Sequence, residues 1–235
     1  MHVRWYGQSA FLLSEGERRL MIDPFGDGKA LAGRGLRFMY PPIGGVDAEL
    51  LLITHEHFDH NNAAAVTGEP HVIRAAAGRF DTPFGEVVGI ASEHDDAAGT
   101  ERGANTIFRF ALDGVEACHL GDFGQHELRD AQREAIGSPD VLFVPVGGGP
   151  TIGASQAAAL VRELGPRIVV PMHYRTDAVD FLEPVEPFVD ELDEDVDVVW
   201  LDESEFDATA LPAGAAATSL VIPRAPLDDG GGVGY

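Results

Sequence analysis

The chain has 235 residues, 45% of them hydrophobic, which is enough to bury the core of one sheet-rich domain. Its 39 acidic and 16 basic residues give a net charge of −23, which disfavours binding to nucleic acid or to an anionic membrane. The single cysteine, Cys118, excludes an intrachain disulfide and a cysteine-based zinc cluster. These features favour a small-molecule partner.

The ends of the sequence predict where the protein works and how much of it folds. It begins without a charged and apolar leader, and it contains no run of about 20 apolar residues, the length that a membrane-spanning helix needs. We therefore expect a cytoplasmic protein. We also expect one hydrolase domain over 1–212 and a loosely ordered tail over 213–235, which contains a glycine run.

Short apolar runs separated by turn residues predict a chain that is rich in strands. The alanine-rich stretch 61–66 is expected to start a helix capped by Asp59, and 154–164 is expected to be a helix closed by Gly165-Pro166. The acidic tract 190–197 predicts the solvated face of a helix that enters a strand. The predicted strands lie at 10–13, 19–22, 50–53, 71–73, 87–91, 106–112, 115–120, 141–146 and 167–171.

One connection, from Phe25 to Val46, is unusually long and rich in glycine. Connections longer than about 12–15 residues are uncommon in compact domains and often form the rim or lid of an active site. A mobile surface loop is an equal alternative. If the connection borders a site, Lys29, Arg34 and Arg37 would offer an anionic substrate its nearest positive charges.

The most informative segment is Thr54-His55-Glu56-His57-Phe58-Asp59-His60, directly after the predicted strand 50–53. It places three imidazoles and an aspartate together, and the burial of such groups is costly unless they are paired or bind a metal. Neutral imidazole and carboxylate are ordinary ligands of zinc. The pattern therefore predicts a metal site at the end of this strand.

Four more polar residues follow predicted strands. His94, Asp122 and His173 each come just after an apolar run, and Asp23 ends an earlier strand. A site built along one edge of stacked sheets requires this placement. We expect Asp23 to accept an imidazole N–H and so fix the orientation of a ligand.

These segments resemble the metallo-β-lactamase superfamily, and most closely its ascorbate-6-phosphate lactonase-like metal-dependent hydrolases. The likeness covers nearly the whole chain through Trp-Tyr-Gly-Gln-Ser, Ile-Asp-Pro, Thr-His-Glu-His-Phe-Asp-His, Gly-Asp and Pro-Met-His-Tyr, in that order. The resemblance implies an α+β fold, a four-layer αββα sandwich with two metal ions between the sheet edges. By position it implies His55, His57 and His94 for the first ion, Asp59, His60 and His173 for the second, and Asp122 as a bridge.

Two metal ions about 3.5–4 Å apart can hold a hydroxide whose parent water has a pKa lowered toward about 7. Zinc is the favoured metal, while manganese or iron remain alternatives because imidazole and carboxylate do not separate them. Asp59 is also expected to act in proton transfer. Tyr174 is a second catalytic candidate, which could donate a hydrogen bond to a substrate oxyanion, although a packed tyrosine fits the sequence equally well.

The predicted function is hydrolysis of a small lactone, ester or phosphate ester, with no organic cofactor. The alternatives are a nuclease or phosphodiesterase of the same fold, an iron-dependent oxidoreductase, and a non-catalytic scaffold. The acidic composition argues against a nuclease, and a scaffold would gain nothing from so many buried ligands. A homo-oligomer remains open. His119, three residues before Asp122, is expected to be a core or supporting residue and not a ligand.

Overall fold

The computed structural model describes residues 1–28, 35–192, 196–210 and 217–226. Over these ranges most of the regular structure is strand. The strands are β1 His2–Gly7, β2 Ala10–Glu15, β3 Arg18–Ile22, β4 Val46–Asp47, β5 Leu50–Ile53, β6 Val66–Thr67, β7 His71–Arg74, β8 Gly78–Thr82, β9 Gly85–Glu93, β10 Ala104–Leu112, β11 Val115–His119, β12 Val141–Pro145, β13 Ile168–Met172, β14 Asp197–Trp200, β15 Glu205–Asp207 and β16 Ser219–Ile222. The α-helices are α1 Asp130–Ile136, α2 Ala154–Leu164 and α3 Glu186–Glu191.

Two large sheets pack face to face. The first has the order β15-β1-β2-β3-β5-β7, and the second has the order β14-β16-β13-β12-β11-β10-β9-β8. Their inner faces form one apolar core, in which the rings of Phe11 (β2) and Phe143 (β12) lie 4.6 Å apart. The side chains of α2 that face this core, among them Leu160 and Val161, are buried against the second sheet. The expected sandwich of two sheets is confirmed.

The outer face of the first sheet is covered by connecting segments in the described part of the chain. Met21 (β3) and Leu51 (β5) point to this side and pack in a second apolar cluster. The cluster takes Phe25 and Phe38 from the long connection and Val179 from the segment after β13. Two distant segments are thereby fastened next to the ends of β3 and β5.

The strand ends explain where the polar residues meet. The strands β3, β5, β9, β11 and β13 are each followed within a few residues by a candidate ligand or by Asp23. In the first sheet β3 and β5 run parallel, and in the second β11 runs parallel to β12 and β12 to β13, so the carboxyl ends of neighbouring strands reach the same edge. Topology brings together side chains that are up to 150 residues apart in sequence, as from Asp23 to His173.

Two points of the predicted secondary structure need correction. The helix expected at 61–66 is wrong: the structure has a single 3-10 turn, Ala63–Ala65, without a side-chain cap, followed by strand β6. The sequence analysis did not predict strands β1, β4, β6, β8, β15 and β16 or helix α1. Of the acidic tract, 193–195 lie outside the described residues, while α3 and β14 on its two sides agree with a helix that enters a strand.

The tail expected over 213–235 is also wrong where the structure describes it. Strand β16 is an interior strand of the second sheet, between β13 and β14, and its Leu220 is fully buried. Leu220, Val221 and Ile222 form a short apolar run, and the hydrophobic effect favours its burial in the sheet. The run was overlooked because glycines and prolines lie on both sides of it. Residues 211–216 and 227–235 lie outside the described ranges. None of the helices described is long and apolar enough to span a membrane.

Candidate metal centre

The structure brings all seven predicted ligands together at the edge of the sandwich. They form two groups, and in each group the ligand atoms lie within 4.8 Å of one another. Except for His57 and Asp59, these side chains are buried. The first group is His55, His57 and His94, and the second is Asp59, His60, Asp122 and His173.

The Asp122 carboxylate lies between the two groups. Its Oδ2 atom is 3.1 Å from His94 Nε2 and 3.8 Å from His55 Nε2, both in the first group. Its Oδ1 atom is 3.2 Å from His60 Nε2 in the second group, and its Oδ2 atom is 3.4 Å from His173 Nε2. A single carboxylate therefore faces imidazoles of both groups, as a bridging ligand would.

In the first group, ring nitrogens converge on one point. His55 Nε2 and His57 Nδ1 are 3.0 Å apart, and the His94 ring centroid lies 4.8 Å from that of His55 and 4.9 Å from that of His57. His94 donates its Nδ1–H to the carbonyl of Pro150 at 3.0 Å, so Nε2, which faces Asp122, is the nitrogen available to an ion. A fixed tautomer of this kind is what histidine ligands of metals ordinarily have.

Asp23 orients imidazoles of both groups. Its Oδ2 atom accepts a hydrogen bond from His60 Nδ1 at 2.9 Å and one from the Thr54 hydroxyl at 2.7 Å. The Thr54 hydroxyl in turn lies 3.0 Å from His55 Nδ1 and can accept a hydrogen bond from the Nδ1–H. The Nε2 atoms of His55 and His60 are thereby turned toward Asp122, and the predicted role of Asp23 as acceptor of an imidazole N–H is confirmed.

Two residues of the site have a left-handed backbone. Asp23 has φ of +46° and His173 has φ of +51°. Non-glycine residues rarely adopt this conformation, which costs on the order of 1–3 kcal/mol and is concentrated at functional sites. Both residues follow directly on buried strands, β3 and β13, and the sharp turn aims each side chain back at the cluster.

The residues present fit a cation. Two buried ring nitrogens, His60 Nε2 and His173 Nδ1, have no hydrogen-bond partner of acceptable geometry among the described residues. An unpaired buried polar atom is costly, and His60 Nε2 is directed at the carboxylates of Asp122 and Asp59, at 3.2 and 3.8 Å. Metal coordination would satisfy this nitrogen, and the donor set of imidazole and carboxylate without thiolate is typical of catalytic metal sites.

The electrostatics of the cluster depend on Asp122. Burial acts to raise the pKa of this carboxyl, but the surrounding imidazoles of His173 and His60 outweigh burial and hold the pKa well below its usual range. Burial likewise acts to lower the pKa of His60, yet Asp122, Asp23 and Asp59 raise it well above 6.5. Burial and the charge of His60 lower the pKa of His55. The site holds concentrated negative charge that a cation would neutralise.

A cavity of about 650 Å³ opens above the cluster. Asp59 lies at its base with a partly exposed side chain and accepts a hydrogen bond from Gln8 Nε2 at 3.3 Å. Leu36, of the long connection, lines the cavity, so the prediction that this connection borders the site is confirmed at this residue. The lining residues are Leu36, Glu56, His57, Phe58, Asp59, His94, Arg102, Asp122, Gly149, Pro150, His173 and Phe181.

The basic residues expected near the site are placed differently. Lys29 and Arg34 lie outside the described residues. Arg37 is exposed, faces Asp180 at 3.7 Å and donates to the Asp177 carbonyl at 3.2 Å, and it does not line the cavity. Arg37 therefore does not supply the positive charge for a substrate, because its side chain is already paired with an acidic surface.

Two other sequence candidates lie beside the cluster. Tyr174 is buried, stacks on Trp5 at 5.4 Å and lines a separate cavity, so its catalytic role stays a prediction that no contact to the metal-site cavity supports. Burial raises the pKa of Tyr174 above its ordinary range. His119 is fully buried beside Phe11 and donates its Nε2–H to the Ser9 carbonyl at 3.0 Å, which agrees with the supporting role expected for it.

Several supporting residues were not assigned a role from the sequence. Gln8 contacts Asp59, and the Ser9 hydroxyl donates to Asp122 Oδ1 at 3.4 Å. Asn105 accepts a hydrogen bond from the Asp122 amide and donates to the Leu120 carbonyl, which fixes the turn at Gly121. The sequence did offer one indication: Gln8 and Ser9 are polar residues between two apolar strand segments. Polar residues that are buried in this way need hydrogen-bond partners, which predicts a polar contact in the interior.

Comparisons with known proteins agree with this geometry. Residues 2–173 match the family model described as beta-lactamase superfamily domain. A UPF0173 metal-dependent hydrolase of Thermococcus kodakarensis is 32% identical over 200 residues, and the match covers 74% of this chain and 84% of the relative. One of Methanoregula boonei is 30% identical over 201 residues, and the match covers 75% of this chain and 83% of the relative.

A solved structure from Thermotoga maritima has the same fold. It is described as a Zn-dependent hydrolase of the metallo-beta-lactamase superfamily, with a TM-score of 0.72 and 29% identity, and the match covers 94% of this chain and 98% of that one. The family match spans every strand that is followed by a candidate ligand, from β5 to the residue after β13. The chain therefore belongs to the metallo-β-lactamase superfamily and is a metal-dependent hydrolase.

Proposed function

We propose that the chain binds two metal ions, most favourably zinc, and hydrolyses a small lactone, ester or phosphate ester in the cytoplasm. The observation that carries this proposal is the position of Asp122 between two groups of ligands, each with enough donors for one ion. Seven donors are too many for one tetrahedral ion. When bound, such a pair of ions supplies an activated water of pKa near about 7 and polarises a carbonyl or phosphoryl oxygen.

The protein's own residues would then divide the remaining work. Asp23, through His60 and Thr54, holds two imidazoles in the tautomer that leaves Nε2 free. Asp59 is at the base of the cavity and partly exposed, so it can accept a proton from water and return it to the leaving group. Phe58 and Phe181 line the cavity and would exclude bulk water around a bound substrate.

A nuclease is the alternative with least support. The chain has a net charge of −23, and among the described residues that line the cavity Arg102 is the only arginine or lysine. A nucleic-acid backbone is bound by several positive charges together. The cavity fits a small molecule better.

The test is a panel of a lactone, a thioester, an aryl ester and a phosphodiester, offered to metal-loaded protein. We expect hydrolysis of at least one carbonyl or phosphoryl substrate, its loss on chelation and its return when divalent metal is added. The matched control is His126→Asn, which changes an exposed histidine outside the cluster and should leave activity intact. Activity that persists after complete metal removal would contradict the proposal and would indicate nucleophilic catalysis by a side chain.

A further inference from the structure

Among the residues that the structure describes, one arginine and no lysine lines the metal-site cavity. Arg102 lines it together with His94 and Asp122, although the protein as a whole is strongly acidic. Among the described residues of this wall, Leu36 and Phe58 add apolar surface. The described lining therefore combines candidate metal ligands, apolar side chains and one guanidinium.

The charge on Arg102 is not used within the described part of the protein. Its guanidinium has no ion pair or side-chain hydrogen bond to another described residue, whereas Arg74 makes two hydrogen bonds of 2.6 Å to Glu56 and Arg129 pairs with Glu93. The pairing with Arg74 also neutralises Glu56, an acidic residue of the cavity outside the ligand groups. An incoming anion would therefore meet an available guanidinium.

The backbone that carries Arg102 is held firmly. Asp95 accepts four backbone N–H hydrogen bonds from its own loop: Oδ1 from Ala97 at 2.9 Å and Gly99 at 2.7 Å, and Oδ2 from Glu101 at 3.1 Å and Arg102 at 2.7 Å. Both oxygens of the Asp95 carboxylate are used in these bonds. Its negative charge is directed at the loop amides.

The same loop is fastened to a metal-ligand residue. The His94 amide donates to the Gly103 carbonyl at 3.1 Å, so the loop 95–103 leaves from His94 and returns to it. The backbone of Arg102 is thereby held in place relative to the ligand groups. Ligand binding then has to order only the Arg102 side chain and not the loop that carries it.

We propose that Arg102 binds an oxyanion on the substrate, a carboxylate or a phosphate, separated by an apolar segment from the bond that is cleaved. The inference rests on the proposed function, because it places the cleaved bond at the metal centre. Guanidinium suits this task, since its planar fork forms paired hydrogen bonds to carboxylate and phosphate oxygens. The apolar segment would lie against Leu36 and Phe58.

The experiment measures binding separately from turnover. In glutaric acid monoanilide an apolar chain separates a carboxylate from an amide that carries a phenyl ring. The amide serves as a stable analogue of the ester bond that would be cleaved. Its succinic and adipic homologues, the matching phosphonates and the neutral methyl esters complete the series. Calorimetric titration of metal-loaded protein should show that at least one anion binds roughly 10-fold to 100-fold more tightly than its methyl ester.

The variant Arg102→Gln should abolish most of this preference while metal content stays unchanged. The control is Arg79→Gln, which removes an exposed arginine that pairs with Glu86 and does not line the cavity, and which should keep the preference. If the anions bind only at the metal ions, Arg102→Gln will leave the preference intact and overturn the proposal. Equal binding of every anion and ester in the unmodified protein would overturn it as well.

Failure of the proposed function gives a different result. If the protein prefers the anions through Arg102 but hydrolyses nothing in the panel, the oxyanion site is supported and the proposed substrate class is contradicted. If the protein hydrolyses neutral esters without any preference for anions, the proposed function is supported and the role of Arg102 is contradicted. The two readouts therefore separate the two proposals.

Discussion

Asp23 Oδ2 lies 2.9 Å from His60 Nδ1, and both side chains are completely buried. The same carboxylate accepts hydrogen bonds from the amide and the hydroxyl of Thr54, each at 2.7 Å. Asp23 itself is no member of the two ligand groups, yet it supports His60 in one and, through Thr54, His55 in the other. The geometry makes this carboxylate the common support of the centre.

The variant Asp23→Asn tests that support. An amide cannot accept from His60 and Thr54 as a carboxylate does, and the negative charge that favours a correctly oriented imidazole is lost. We expect metal affinity to fall roughly 10-fold to 100-fold, the usual effect of removing a partner of a ligand. Competition with a chromophoric chelator measures it. Unchanged affinity for both ions would show that Asp23 serves only the fold.

Asp122 and His119 are only three residues apart and should respond differently to substitution. Asp122→Ala removes the carboxylate that faces both ligand groups, so at least one ion should be lost and turnover should collapse. His119→Asn removes a hydrogen bond to the Ser9 carbonyl and core packing, so stability should fall while metal stays bound. Elemental analysis of the two variants shows which residue binds metal. Metal loss from His119→Asn alone would mean that His119, and not Asp122, is the ligand.

Metal binding should release protons and should tighten as pH rises. The carboxylates of Asp122, Asp23 and Asp59 outweigh burial and raise the pKa of His60 above 6.5, so the metal-free protein holds a proton on this ring that an ion must displace. Raising the pH through the pKa of His60 removes this competition. Calorimetry in buffers of different ionisation enthalpy counts the released protons. Affinity that is constant between about pH 6 and about pH 8 would contradict the expectation.

Gly124 tests the packing behind His94. A Cβ at this position would collide with the backbone of His94 and Asp95, whereas a Cβ at Gly44 would meet nothing within 4 Å. We expect Gly124→Ala to lower stability by roughly 1–3 kcal/mol and to weaken metal binding, because His94 must move. Gly44→Ala is the control and should change neither. Thermal unfolding with and without metal measures both effects, and equal behaviour of the two variants would refute the packing argument.

The sequence located the candidate ligands that the structure brings together, because each follows an apolar strand. His55, His57, Asp59 and His60 share one turn after β5, and their short spacing alone indicates a metal site. His94, Asp122 and His173 are more distant in sequence, and their assignment needed the resemblance to a family. The parallel order of the strands then explains why these ends meet at one edge.

The sequence predicted less about what surrounds the ligands. The contact between His94 and the Pro150 carbonyl joins two loops 56 residues apart, and no local pattern predicts such a bond. No sequence pattern indicated that Arg102 lines the cavity, because its position depends on how loop 95–103 folds around Asp95. Strand β16 was missed because glycines and prolines surround its short apolar run, and its pairing with β13 and β14 is not visible in the local sequence.

The central claim is that the two ligand groups hold two metal ions. Its most direct test is the number of ions per chain in protein loaded with zinc and then dialysed, measured by elemental analysis against an accurate protein concentration. We expect two ions per chain, both removed by a strong chelator together with all hydrolytic activity. Reproducibly less than one ion per chain in fully loaded protein would contradict it.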